Sequence, residues 1–194
     1  MNRASQRFGV LVRIAPVLAL SFIALPSIAQ DSNLLMRRGY AELSNGDNAS
    51  AINTLVHAVA IDRNNLAARQ FLAEALMRNG LAAQSAGQWQ ALVAAQPSQI
   101  LYLLGLAKAK FYCGDYKTTI NAYRQVLSID RTNKQAALGL ANVYATTGRR
   151  AEAESVYIAL ARSHVSDAIL CHQIEQELTR LHEARPDTSH AVGG

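Results

Sequence analysis

Apolar and small residues recur at intervals of three and four along the stretch from Tyr102 to Asn133. This spacing places them on one face of a helix and predicts two short helices in succession. Gly114 and Asp115 separate the two, since glycine commonly follows a helix C-terminus and aspartate is a favoured N-cap. One helical hairpin of this size cannot bury its own apolar face, so it needs neighbours of the same kind.

The turn glycine recurs with a fixed period. The glycines of four predicted turns are evenly spaced along the chain, at Gly46, Gly80, Gly114 and Gly148. Small residues on the first helices keep the same spacing: Ala73, Ala107 and Ala141. The segment Ile61–Asn65 returns almost unchanged as Ile129–Asn133, two periods later. The chain is therefore expected to contain a repeated helix-turn-helix unit.

A 34-residue period filled by helix-turn-helix units resembles the tetratricopeptide repeat (TPR) family. The resemblance implies an all-α TPR solenoid spanning residues 30–182, its first helix capped by Asp31 or Ser32. Its repeats would be residues 32–65, 66–99, 100–133 and 134–167, followed by a capping helix at 168–182. That helix would turn Ile174, Leu178 and Leu181 toward the last repeat and end the solenoid with a polar outer face. Trp89, the single tryptophan, occupies a bulky second-helix position and is expected to pack in the core.

The N-terminal segment, residues 1–29, is typical of a secretory signal peptide. Three arginines flank the start of an apolar run, Ile14–Leu25, and small residues at Ser27 and Ala29 form a cleavage pattern. We expect cleavage after Ala29 and export to the bacterial periplasm, with outer-membrane association possible through a partner. The alternative is an uncleaved anchor, although the run is shorter than the ~20 residues that span a membrane. At the other end, residues 183–194 are expected to be a disordered tail.

Composition and charge narrow the classes of function. Half the residues are apolar and 6% are aromatic, which suits a helical repeat protein. The signal peptide carries Arg3, Arg7 and Arg13, so its removal lowers the formal net charge of +5 by three. The mature chain would be only mildly basic and lacks a long Lys/Arg cluster, which argues against nucleic-acid binding.

The chain carries no recognisable catalytic motif: no Gly-rich phosphate loop, no H-E-x-x-H and no nucleophile elbow. The nearest approach to a metal cluster is Cys171, His172, Glu175 and His182. On a helix Cys171 and His172 point about 100° apart, and His182 lies nearly three turns further on. We therefore expect no enzymatic activity, no cofactor and no metal.

The two cysteines, Cys113 and Cys171, are expected to be free and partly buried. Stacked repeats should hold them farther apart than the ~7 Å between Cα atoms that a disulfide tolerates. A disulfide or an intermolecular link is the alternative, because export would permit one.

Function is then expected to reside in a surface. In TPR proteins the first helix of each repeat lines the concave face, and the resemblance gives a candidate groove when carried over position by position. Its residues are Met36, Tyr40, Leu43, Gln70, Glu74, Met77, Arg78, Leu101, Leu104, Lys108, Phe111, Tyr112, Leu138 and Asn142. This largely apolar and aromatic set suits an amphipathic helix or an extended apolar peptide.

Co-chaperone TPR domains grip a C-terminal carboxylate with a fixed set of Lys, Asn and Arg side chains. That set is not matched in this chain, where the corresponding positions hold Met36, Tyr40, Phe71, Leu101 and Gly105. Carboxylate capture in the co-chaperone manner is therefore not expected.

The leading hypothesis is a non-enzymatic scaffold that holds an envelope protein during assembly of a pilus or secretion apparatus. The chain is similar to small signal-bearing TPR proteins of tight-adherence (Flp) pilus clusters and to pilotins of type IV pili. Those relatives often carry a lipidated cysteine, which this chain lacks near its cleavage site. The alternatives are a self-associating structural module of the envelope, hence a homo-oligomer, and a regulatory subunit of an envelope enzyme.

Overall fold

The computed structural model describes residues 28–183. All but the last two residues of the predicted signal peptide, and all but the first residue of the predicted tail, lie outside this range. Within it the helices are α1 (Ile28–Ser44), α2 (Asn48–Ile61), α3 (Leu66–Arg78), α4 (Ala82–Ala95), α5 (Ile100–Tyr112), α6 (Tyr116–Ile129), α7 (Lys134–Thr146), α8 (Arg150–Ser163) and α9 (Ala168–Glu183).

The helices pair into four hairpins followed by a closing helix. Helices that follow one another in the chain pack together, and α1 also contacts α3, α3 contacts α5, and α5 contacts α7. The first helices of successive hairpins therefore form one layer and the second helices another. The fold is an all-α solenoid of four helix-turn-helix repeats ending in a capping helix, as the sequence predicts.

In the part of the chain that the structure describes, no helix is both long enough and apolar enough to cross a membrane.

The turns show why glycine recurs once in every repeat. The four turn glycines have φ between +73° and +83°, a left-handed conformation that costs other residues energy. At the third turn the N–H of Gly114 donates to Phe111 O at 2.9 Å, and the N–H of Asp115 donates to Lys110 O at 3.0 Å. These bonds form a Schellman motif, which satisfies the last carbonyls of the first helix.

Asp115 then begins the second helix of the same repeat. Its carboxylate accepts a hydrogen bond from the N–H of Thr118 at 3.1 Å and from the Thr118 hydroxyl at 2.8 Å. The two bonds stabilise the charged form and lower the pKa of Asp115. The predicted N-cap is therefore confirmed.

The two copies of the repeated segment end at Asn65 and at Asn133, and each leads into the first helix of the following repeat. The side-chain oxygen of Asn65 accepts from Ala68 N at 2.9 Å, and that of Asn133 accepts from Ala136 N at 3.0 Å. Asp167, one period after Asn133, caps α9 in the same way by accepting from Leu170 N at 3.1 Å. The capping helix thus begins as the first helix of another repeat would.

The apolar core consists of three clusters, and each one joins neighbouring repeats. Leu55 of the first repeat shares a cluster with Leu72 and Leu76 of the second. Trp89 of the second repeat shares the next with Tyr102 and other residues of the third. The largest cluster joins the last two repeats to α9 through Leu170 and Ile174, with Leu178 and Leu181 packed against it.

Several details of the sequence prediction need correction. Helix α1 begins at Ile28, so Asp31 and Ser32 both lie inside the helix and neither is its N-cap. The buried hydroxyl of Ser32 instead donates to Ala58 O at 2.9 Å. The cleavage after Ala29, one residue into this helix, stays a prediction. Glu183 belongs to α9 and not to the tail. Both cysteines are free, but Cys113 is exposed, because it lies at the turn where α5 ends.

Replacing Gly114 by alanine is expected to lower the free energy of unfolding by about 1 kcal/mol or more, since the native φ of +74° strains a residue with a Cβ. The matched control is Gly87→Ala inside α4, where a Cβ meets no atom within 4 Å. That change should raise the free energy of unfolding by about 0.5–1 kcal/mol. Urea unfolding of both variants checks the pair, and effects of the same sign would contradict it.

Candidate functional site

The predicted groove residues lie on the first helices of the four repeats, α1, α3, α5 and α7. Six have exposed side chains: Tyr40, Arg78, Leu101, Lys108, Tyr112 and Asn142. Seven are half-buried: Met36, Gln70, Glu74, Met77, Leu104, Phe111 and Leu138. Leu43 is the exception, because it is 2% exposed and packs in the first core cluster. The structure therefore places Leu43 in the core and not on the candidate groove.

Five of the predicted residues meet between α3 and α5. Met77 and Arg78 of α3 face Lys108 and Tyr112 of α5 across a cavity of about 360 Å³. An adjoining cavity of about 220 Å³ adds Glu74 and shares Met77, Arg78 and Lys108 with the first. The middle of the candidate groove is thus a continuous depression. Met36, Leu138 and Asn142 lie on the flanking helices, outside both cavities.

Polar contacts in this depression are few. Gln70 donates from Nε2 to Glu74 Oε1 at 3.0 Å, one helical turn away on the same helix. Arg78 donates from Nη1 to Leu43 O at 3.3 Å, which ties it to the end of α1. The side chain of Lys108 makes no hydrogen bond or ion pair with any residue between 28 and 183.

Trp89 and Gly105 also line the smaller cavity, and the sequence prediction omitted both from the groove. Trp89 is 4% exposed, in keeping with its predicted core role. A Cβ on Gly105 would lie 2.5 Å from the Trp89 ring, so glycine is what allows α5 to approach the indole. The floor of the depression is therefore formed by an aromatic ring of the preceding repeat.

The same contact occurs one repeat later. A Cβ on Gly139 would lie 2.3 Å from Cζ of Tyr123, and these two residues follow Gly105 and Trp89 by one full period. A glycine inside a helix is normally destabilising, so a pair of them at the repeat step was the signal that could have revealed this contact.

At the junction between the first and second repeats, the smaller side chain comes from the first repeat and the larger one from the second. Leu55 stands one period before Trp89, and Phe71 stands one period before Gly105. The smaller Leu55 thus accompanies the larger Phe71, and both pack in the same cluster. The Phe71 ring also lies 4.8 Å from the ring of Tyr40, which is 52% exposed. This pair extends the aromatic surface toward the first repeat.

Aromatic rings also border the depression on the side of the α5–α6 turn. Phe111 lies 5.8 Å from Tyr112 and 5.7 Å from Tyr116, measured between ring centroids. Tyr112 is 64% exposed although its neighbour Phe111 is half-buried. An exposed aromatic side chain held by packed neighbours is a common binding anchor.

Between residues 28 and 183 there is no group of three or more His, Cys, Asp and Glu side chains placed to hold a metal ion.

Residues 114–188 match the family model of the tetratricopeptide repeat. Among solved structures, the chain is similar to a crystal structure of MamA, with 19% identity, a TM-score of 0.68, and coverage of 75% of this chain and 82% of that one. A TPR protein from Parabacteroides merdae gives 16% identity and a TM-score of 0.70, over 79% of this chain and 61% of that one.

A third similar structure is the first TPR domain of Spaghetti (RPAP3) bound to the HSP90 peptide SRMEEVD, with 19% identity and a TM-score of 0.58 over 62% of this chain and 95% of that one. No curated protein matches the chain. The family match and these structures define the class: the chain has the TPR solenoid fold, an architecture that serves in protein–protein interaction.

Gly105→Ala is expected to lower the free energy of unfolding by about 1–3 kcal/mol, because the new methyl group overpacks against the Trp89 ring. Near-ultraviolet circular dichroism should also change, since Trp89 is the only tryptophan. Gly87→Ala is again the matched control within a helix interior. An increase in stability for Gly105→Ala, like that expected for Gly87→Ala, would show that the contact is looser than described.

Proposed function

We propose that this protein is a non-enzymatic scaffold that holds a helix or an extended segment of a partner protein in the groove formed by α1, α3, α5 and α7. The observation that carries the proposal is the depression between α3 and α5, bordered by Met77 and the exposed ring of Tyr112. Large apolar side chains normally lie in the core, so exposed ones gathered around a depression favour a binding surface.

The groove offers anchors along its length. Tyr40, Leu101 and Tyr112 are 52%, 47% and 64% exposed, and they come from α1 and α5. The half-buried Leu104 and Leu138 occupy the same position of successive repeats. Anchors presented by successive helices suit an amphipathic helix or an extended chain that lies across the array.

The partner that we propose is an envelope protein, and the site of action is the bacterial periplasm. Support comes from the N-terminal sequence: three arginines, the apolar run Ile14–Leu25 and the small residues before Gln30. An exported repeat array without catalytic motifs suits a component that assists assembly of a pilus or secretion apparatus. Contact with the outer membrane would then come through the partner.

Photo-reactive residues test the groove directly. Placed at Tyr40, Leu104 and Phe111 and irradiated in cells, they should crosslink to one envelope protein. The matched control is Val56, which is 47% exposed on α2 in the layer of second helices and should give no such product. Tyr112→Ala should weaken binding of that partner by about 2 kcal/mol, and less of it should be recovered, since exposed aromatic anchors dominate binding energy. Equal crosslinking from Val56 would contradict the groove.

A second candidate function is self-association, and the ends of the array favour it. Leu34 on α1 is 68% exposed, while Val165 in the turn between α8 and α9 and Ile169 in the first turn of α9 are 76% and 84% exposed. Apolar side chains at both ends could join copies of the chain end to end.

Light scattering at increasing protein concentration tests this second candidate. An end-to-end assembly should grow in mass with concentration, and Ile169→Ser should suppress that growth without changing the helical signal. Ile129→Ser is the control, because Ile129 is 46% exposed at the end of α6 in the third repeat, which is not a terminal one. A mass that stays at one chain throughout would exclude self-association of this kind.

A further inference from the structure

The charges of the candidate groove are confined to its middle. Of the fourteen residues predicted to line it, the ionised ones are Glu74, Arg78 and Lys108, and all three line the smaller of the two cavities. The residues on either side are apolar, aromatic or uncharged polar, such as Tyr40 toward the first repeat and Asn142 toward the fourth. Within this set of fourteen, charge is therefore found only in the central part.

These charges are unbalanced. Glu74 is the one carboxylate among the described residues around the two cavities, and it accepts a hydrogen bond from the Gln70 amide. Arg78 donates to a backbone carbonyl, and no carboxylate within residues 28–183 pairs with its positive charge. The Lys108 side chain is exposed and has neither a hydrogen bond nor an ion pair in the same range. The depression therefore presents two cations against one acid.

Apolar surface surrounds these cations. The half-buried Met77 and the exposed ring of Tyr112 line the same cavity as Arg78 and Lys108. The ring of Trp89 lies beneath Gly105 in the adjoining one. A ligand that covers these side chains also excludes water from the cations, and ion pairs strengthen as the local dielectric falls. A carboxylate flanked by apolar groups is the chemistry that complements this arrangement.

We propose that the middle of the groove binds an internal acidic side chain, Asp or Glu, with an apolar side chain next to it, from the partner segment. The carboxylate would lie between Arg78 and Lys108, and the apolar neighbour would contact Met77 and Tyr112. This inference rests on the proposed function, because it names the chemistry of the segment that the groove holds. It differs from capture of a chain terminus, whose Lys, Asn and Arg set is absent from the corresponding positions.

Selection from a library of random peptides displayed on phage tests the inference. The C-terminus of each peptide is joined to the coat protein, so no terminal carboxylate is offered. The purified protein should enrich peptides with an acidic residue beside apolar ones. Trp89 fluorescence then measures the binding of a synthetic, C-terminally amidated copy of an enriched peptide. Replacing its acidic residue by the matching amide should weaken binding about tenfold, as expected for loss of a charge-assisted contact.

Reversing the charge of the two cations gives a more decisive test in the same selection. The variant carrying Arg78→Glu and Lys108→Glu should lose the acidic peptides and enrich basic ones instead. The matched control reverses two exposed cations outside the groove, Lys117→Glu and Arg162→Glu, and should select the same peptides as the unaltered protein. If the double variant does not fold, Lys108→Glu alone serves, because the Lys108 side chain forms no hydrogen bond or ion pair with another described residue.

The outcomes separate this inference from the proposed function. If the enriched peptides lack an acidic residue and bind less well to the Tyr112→Ala variant, the acidic preference is overturned and the proposed groove stands. No enrichment, or enrichment that no groove variant alters, would overturn the acidic preference and the proposed function together.

Discussion

No repeat of this protein can bury its apolar residues alone. Leu55 needs Leu72 and Leu76 from the next repeat, and Trp89 needs Tyr102 from the repeat after its own. Burial across repeat boundaries is therefore what holds the hairpins in line, since area removed from water is the main favourable term in folding. The same constraint explains α9, which covers the last repeat with Leu170 and Ile174.

Local chemistry keeps the hairpins uniform, which is why so much of the fold could be predicted from the sequence. A left-handed glycine and an N-cap are short-range devices, so Gly114 and Asp115 indicated the turn without knowledge of the rest of the molecule. The repeat period then followed from the spacing of the glycines. Ser32 shows the limit of such arguments, because its capping chemistry is equally local but its hydroxyl instead reaches Ala58 in the next helix.

The candidate site was less predictable for a related reason. Exposure at a given repeat position depends on the size of side chains in the adjacent repeat. Leu43, Met77 and Phe111 share one position in successive repeats, yet Leu43 is buried and the other two are half-buried. Likewise the contact between Trp89 and Gly105 joins two repeats, and neither residue signals it alone. The charged middle of the candidate groove follows from individual side chains that the periodic pattern does not constrain.

The glycine-to-ring contacts also determine which repeats could be exchanged. The junctions after the second and third repeats are of one kind, with Trp89 over Gly105 and Tyr123 over Gly139. Removing or duplicating the third repeat would again bring a large ring against a glycine. Duplicating the second would instead bring Trp89 against Phe71, two bulky side chains at one junction. Side-chain sizes at the junctions are therefore compatible with loss or duplication of the third repeat. They oppose duplication of the second repeat, because Trp89 and Phe71 would meet there.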